Sequence, residues 1–180
     1  MMVDLQGNKL VEGQRRSVGN TKLWRLTKKG RELMGVKWKP RPFNTPTIDH
    51  ILGIGNILFE LSQIGNVFDF TFELREPFVS LGREWKFSSD AFFGFNGRAY
   101  LLEYQISPLT SERWAEKWKT YNQYLGTSAF HQAFWNEHVK GSIILPRIIV
   151  VTNQQIETVK SGCKFPLIIV RDIKELFKVA

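Results

Sequence analysis

Three polar side chains lie close enough in sequence, and in the right phase, to act together. Asp90 opens a strand-like run that continues to Phe95, and Glu103 and Gln105 stand two residues apart in a second run, Ala99 to Ile106. Asn96-Gly97 joins the two runs, and both residues accept the positive φ that a two-residue hairpin turn requires. Alternate residues of a strand share a face, so Glu103 and Gln105 project together. Folding the hairpin brings an acidic residue at the start of one strand toward an E-x-Q on its partner. Carboxylates gathered at a sheet edge are the donors that hard cations take. The same pattern also arises where an edge hairpin merely keeps one face wet. Glu60, on the helix that comes before, is either solvated or turned toward the same place.

Other chemistry finds less support. His50, His131 and His138 show no metal-ligand spacing with one another. No Walker loop or G-x-G-x-x-G is present, and Gly53-Ile54-Gly55 follows a helix start, where a phosphate loop would follow a strand. Cys163 has no base near it in sequence, and a lone cysteine permits neither an intrachain disulfide nor a cysteine-built zinc site. Trp114 and Trp118, one helical turn apart, fit core packing better than stacking on bases.

The elements that must position the acidic hairpin can be read from periodicity. A helix is expected from about Ile48 to Ile64, capped by Thr47 or Asp49, with Ile51, Leu52, Leu58, Phe59, Leu61 and Ile64 as its apolar face. Gly53 and Gly55 within it suggest close approach of another backbone. A strand follows over Val67 to Leu74, with Phe68, Phe70, Phe72 and Leu74 on one face, ended by Arg75-Glu76-Pro77. After the hairpin, an amphipathic helix over about Ser111 to Tyr124 carries Trp114, Lys117, Trp118, Tyr121 and Leu125 along one stripe. An irregular aromatic stretch, 126–140, leads to a buried strand at Ile148 to Val151. A helix near 154–160, a second buried strand at Leu167 to Val170 and a short helix over 172–178 complete the chain. This order predicts an α/β fold, a mixed sheet flanked by helices.

Net charge is +8, and its placement matters more than its size. Residues 1–47 hold eleven Lys and Arg against three acidic side chains, and the remaining residues are neutral. A basic arm on a neutral domain points to a polyanion, with DNA the expected partner, and Arg15, Arg16, Lys22, Arg25, Lys28 and Lys29 are its candidate phosphate contacts. The expected divisions are a basic hairpin plus helix over 1–35, a Pro-rich linker over 36–47 and the α/β domain over 48–180. Hydrophobic content of 43% fits a globular chain. No leader-like or membrane-length apolar run occurs, so a cytoplasmic location and no membrane partner are expected. A homodimer is compatible with everything above.

Residues 9–27 read as a hairpin around Gly19-Asn20, after which Thr27 caps a helix that stops at Gly35. Leu23-Trp24-Arg25-Leu26-Thr27-Lys28-Lys29-Gly30 resembles the Y-x-L-T-x-x-G end of winged-helix DNA-binding domains, where it marks the second wing strand and a closing helix. Too few residues come before it for the three helices of a complete domain. Either the chain is part of a longer protein or the wing has become a basic hairpin. In both cases the base-reading helix is missing, and what remains touches phosphates.

The acidic hairpin in its helical setting resembles the PD-(D/E)xK, restriction-endonuclease-like core. That resemblance implies that Asp90 and Glu103 bind Mg²⁺, that Gln105 takes the place of a lysine that positions water, and that Glu60 matches a first-helix acid found in some branches. Ser89 replaces the proline, and glutamine supplies neither a base nor a charge. A longer resemblance runs from about Leu26 to Val159. His50-x-Leu52, S-D-A-F-F, L-L-E-Y-Q, R-W-x-x-K-W-x-x-Y and I-I-V-V-T together resemble the replication-relaxation family, whose pattern has Pro-Asp-Ala before the hairpin and Glu-x-Asp after it. Arg113, Lys117 and Tyr121 match its helix. The resemblance implies a role in plasmid or phage replication and DNA relaxation. That role is either Mg²⁺-dependent nicking or a non-catalytic DNA-binding accessory function.

Overall fold

The computed structural model describes residues 11–15, 22–33, 45–137 and 143–177. The chain divides into two compact units, 1–48 and 49–180. In the first, β1 (Val11–Arg15) pairs antiparallel with β2 (Lys22–Leu26), and α1 (Lys28–Leu33) follows. The Thr27 hydroxyl accepts a hydrogen bond from the Gly30 amide at 3.1 Å, which satisfies one of the donors that the first turn of a helix leaves open. The strand register sets Arg15 across from Lys22 and Arg25 across from Glu12. Arg16, the Gly19-Asn20 turn, Gly35 and residues 36–44 of the expected linker lie outside the described residues. The helix expected from Ile48 begins earlier, as α2 (Thr45–Ile64), with Pro46 in its first turn, where a missing amide is tolerated.

The second unit is built on one five-stranded sheet of order β3-β4-β5-β6-β7. β3 (Val67–Ser80), β4 (Arg83–Phe95) and β5 (Arg98–Gln105) form an antiparallel meander. β6 (Arg147–Thr152) and β7 (Leu167–Val170) add in parallel to β5. Parallel neighbours require crossovers, and these carry the helices that cover the sheet. α3 (Ser111–Leu125), α4 (Phe134–Glu137) and α5 (Ile156–Lys160) pack on one face. There Trp114, Trp118, Tyr121, Tyr124, Trp135 and Val159 meet Phe87, Phe92, Leu101 and Val150. On the other face Ile54, Ile57 and Leu61 of α2, with Ile173 of a 3₁₀ segment (Ile173–Phe177), meet Phe93, Phe95, Tyr100, Leu102 and Ile149. The result is an α/β fold with a mixed sheet flanked by helices. No helix among the described residues is long and apolar enough to cross a membrane.

Several expectations need correction. β3 does not end at Arg75-Glu76-Pro77 but runs through them to Ser80. Pro77 is accommodated because β3 is an edge strand, and an amide missing from the open side breaks no ladder bond. Nor do Phe68, Phe70, Phe72 and Leu74 share one buried face. The register shifts between Phe68 and Thr71, and Asp69 and Glu73 have φ of 50° and 47°, so Leu74 is buried while Phe72 is 43% exposed. The strand expected from Asp90 begins earlier, at Arg83, and joins β3 through Leu81-Gly82. Asp90 therefore lies inside β4 and does not open it. The buried face of α2 is Ile54, Ile57 and Leu61, whereas Ile51, Phe59 and Ile64 are exposed. β7 is half-buried through Leu167, Ile168 and Ile169, as suits the other edge of the sheet.

Candidate functional site

Asp90 and Glu103 meet at a fork in the sheet. The last paired position of β4 and β5 is Ala91 with Leu102, and the same register one step further sets Asp90 across from Glu103. Beyond that point β4 continues with β3 to the Ser80–Arg83 pair, while β5 continues with β6 to Gln105–Thr152. Strands that part company leave a gap between them. Here it is an open cleft of about 330 Å³, whose walls include His50, Arg75, Lys86, Asp90, Glu103 and Lys117. Ser89 secures the point of divergence, with its buried hydroxyl 2.9 Å from the Leu102 carbonyl oxygen and 3.0 Å from that of Ala91. The proline of the resembling pattern could donate to neither.

Glu103 is 1% exposed. Its Oε2 accepts from the Lys117 ammonium and its Oε1 from the Tyr121 hydroxyl at 2.5 Å. Lys117 and Tyr121 are four residues apart on α3, so they present one above the other on the face that meets the sheet. Thr110 starts this helix at the register that achieves this, accepting from the Arg113 amide. Burial pushes the Glu103 carboxyl up to about 8, against the pull of Lys117. Burial likewise draws Lys117 down, but Glu103 and Asp90 outweigh it and leave the ammonium above its ordinary value. The Tyr121 hydroxyl is raised well above the usual phenol range, by burial first and the Glu103 charge second.

Asp90 is held from the opposite layer. His50 Nε2 lies 3.3 Å from Oδ1, and the Tyr104 amide donates to Oδ2 at 2.8 Å. Burial pushes this carboxyl up, but His50, Lys117 and the Tyr104 amide outweigh burial and hold it below its ordinary value. The hydrogen bond to Asp90 keeps the His50 imidazole above its own. The Tyr104 ring stands 5.7 Å from that of His50 and lies against Gly53, where a Cβ would come within 2.0 Å of Cε1. The close approach expected of Gly53 is thus to a side chain. Gly55 has nothing within 4 Å and makes no such contact.

Of the four residues the sequence nominated for chemistry, Asp90 and Glu103 come together and the other two lie elsewhere. Gln105 shares the face of Glu103 but turns its amide to the Ser107 carbonyl oxygen at 2.6 Å. Glu60 pairs with Lys174 at 2.9 Å. Neither lines the cleft. The cation that does reach Glu103 is Lys117, from the next helix. A lysine inside an otherwise aromatic buried stripe was the available signal, because a charge there requires a partner. His50 and Ser89 stood in the sequence only as parts of the motifs His50-x-Leu52 and S-D-A-F-F, with no role attached to either. Lys28 and Lys29 are exposed, with Lys28 3.8 Å from Glu32.

Two carboxylates on facing strands suit Mg²⁺ in kind and number, since that ion keeps several waters and takes few protein oxygens. No group of three or more His, Cys, Asp or Glu side chains able to hold a metal occurs among the described residues.

No family model matches the chain, and no curated protein does. Among solved structures, the crystal structure of protein VC1899 from Vibrio cholerae aligns with 12% identity and a TM-score of 0.37, over 97% of this chain and 39% of that one. This chain corresponds to well under half of that protein's length, and a likeness at this level carries no argument about function.

Proposed function

We propose that the protein is a DNA-processing protein of plasmid or phage replication and relaxation, whose 49–180 unit nicks or cleaves DNA at the β4–β5 fork with Mg²⁺ held by Asp90 and Glu103. The observation that carries this reading is Lys117 on the buried Glu103 carboxyl, across from Asp90. Two acids and a lysine converge there on an open cleft, although the sequence scatters them over 28 positions. Magnesium bound there supplies charge neutralisation at the phosphodiester and a more acidic water. Lys117 sets the orientation of Glu103 and adds positive charge beside the scissile phosphate, and Tyr121 fixes the second carboxylate oxygen. His50 and the Tyr104 amide hold Asp90 in place.

The reading also supports membership of the replication-relaxation family. The family's Asp, Glu, Lys and Tyr positions fall on Asp90, Glu103, Lys117 and Tyr121, which are the residues gathered at the fork. The basic unit then serves as a phosphate-holding arm. Its excess of Lys and Arg in the sequence is what supports an anionic partner. A cytoplasmic location follows from this role. One chain carries every residue of the cleft, so a homodimer is compatible with the reading but not required by it.

A non-catalytic accessory role is the second reading. All four oxygens of Asp90 and Glu103 already have partners within the chain, an arrangement that also suits a scaffold. A supercoiled-plasmid assay with Mg²⁺ separates the two. Nicking by the wild type that is lost in Asp90→Ala, Glu103→Ala and Lys117→Ala is the expected result. Intact, salt-sensitive DNA binding by all four proteins with no nicking would establish the accessory role.

A further inference from the structure

Beyond the fork, β3 and β4 continue as a two-stranded arm with two unlike faces. Phe78, Ser80 and Phe87 are buried on one of them. Phe87 stacks on Tyr124 at 4.2 Å, Phe78 meets the same ring edge-on at 5.1 Å, and Gln123 donates to the Ser80 hydroxyl. The arm is therefore fixed to α3. Its other face consists of the cross-strand pairs Arg75–Ser88, Pro77–Lys86 and Val79–Glu84, and all six residues are exposed. Arg75 and Lys86 also line the cleft. Arg75 is paired with Glu73 at 2.8 Å, and Lys86 has no ion-pair partner among the described residues.

The arm ends on Leu81-Gly82, with φ of 51° and 70°. The turn at Asn96-Gly97 has nearly the same values, 47° and 76°. Positive φ at both positions favours Asn-Gly. Where only turning is needed, the chain uses asparagine; at the end of the arm it uses leucine, which is 92% exposed and follows Val79, 67% exposed. Neither the fold nor the turn gains from that choice. An apolar residue at the tip of a rigid two-stranded arm, with cations at its root, has the form of a side chain that enters between stacked bases.

We propose that the β3–β4 arm is a wedge for duplex DNA. It rests on the DNA-processing reading above and adds the form of substrate and the residues that engage it. Lys86 holds a phosphate beside the cleft. Leu81, with Val79 behind it, enters between base steps and unstacks them. Five residue steps of about 3.3 Å each take the strand from Arg83 to Ser88, a reach of roughly five base-pair steps. Glu84, at the level of Val79, repels phosphate and accepts from base amino groups, so the distal arm addresses bases while its root addresses backbone.

The test is run in EDTA, so that it does not depend on cleavage, with 20-base-pair duplexes carrying 2-aminopurine at successive positions and the same strands unpaired. Leu81→Asn suits the turn and keeps the fold, with an unfolding midpoint at or above that of the wild type. The wild type brightens 2-aminopurine within a duplex, and Leu81→Asn loses that signal. Lys86→Ala weakens duplex binding several-fold and lowers the salt slope by about 1. A wild-type signal from Leu81→Asn, or binding to single strands alone, would overturn the wedge. A wild type that binds no DNA would overturn the DNA-processing reading as well. Absence of Mg²⁺-dependent nicking, with the 2-aminopurine result intact, would remove only the catalytic reading.

Discussion

The ammonium of Lys117 rests on Oε2 of Glu103, a carboxyl that is 1% exposed and belongs to a strand fourteen positions earlier. The pair joins α3 to the point where β4 and β5 part, and what happens to one partner is felt by the other. Removing one member of a buried pair leaves an uncompensated charge, at a cost of about 3–5 kcal/mol. Lys117→Met is therefore expected to lower stability by up to about that much at pH 10, where Glu103 of the wild type is ionised, measured by urea unfolding. The loss should shrink toward pH 5, because Glu103 is then protonated in both proteins. Lys117→Met/Glu103→Gln should recover most of it. A loss independent of pH would show that packing, and not the pair, is responsible.

Glu103 also sets a pH dependence of its own. Its carboxyl stands at about 8 in the folded chain against the usual 4.5, so the folded state holds its proton more tightly than the unfolded state does. Stability must then fall as pH rises from about 4.5 to about 8, by something on the order of 4 kcal/mol. His50, raised by Asp90, acts in the same sense, its contribution being complete below its ordinary value and lost as pH rises through the higher one. Asp90 is lowered, so its contribution is present above the ordinary carboxyl value and disappears as pH falls. The expected optimum is mildly acidic. Glu103→Gln should remove most of the alkaline slope, and an unchanged slope would assign it to other groups.

Magnesium should act against that slope. An ion that binds the folded chain alone stabilises it by about 1.4 kcal/mol at ten times its Kd. At pH 8 the wild-type midpoint should rise in a thermal scan while those of Asp90→Ala and Glu103→Ala stay in place. Calorimetry in buffers of different ionisation enthalpy should show a proton released on binding at pH 7, since the metal requires the ionised carboxylate. Equal shifts in all three proteins would place the ion elsewhere.

Gly53 and Gly55 provide a paired control on the α2 side of the site. A Cβ at Gly53 would meet the Tyr104 ring within 2.0 Å, so Gly53→Ala must displace that ring and with it His50. Overpacking of this kind costs about 1–3 kcal/mol. Gly55 faces open space, so Gly55→Ala should stabilise by about 0.5–1 kcal/mol through helix propensity alone. Unfolding midpoints that move in the same direction would refute the close approach of Tyr104.

Local pattern was enough to specify much of the fold. The Asn96-Gly97 hairpin, the α3 stripe, the Ile148–Val151 and Leu167–Val170 strands and the cap at Thr27 each depend on periodicity or turn chemistry within a few residues. Those signals survive folding because neighbours along the chain remain neighbours in the structure. The sequence by itself also determined that Asp90 and Glu103 would come close, since a tight turn fixes register. It failed where tertiary position overrides composition. Pro77 stays within β3 because the strand is an edge, and Leu81 occupies a positive-φ turn that residue type alone would not suggest. The rest of the site was decided by tertiary structure. Gln105 turns to its own backbone and Glu60 goes to Lys174, while Lys117, Tyr121 and His50 arrive from helices on opposite faces of the sheet. His50 and Lys117 reach one cleft at the point where two strands diverge, and the divergence depends on which neighbour each strand keeps. That is a property of the whole sheet, and no short window of sequence contains it.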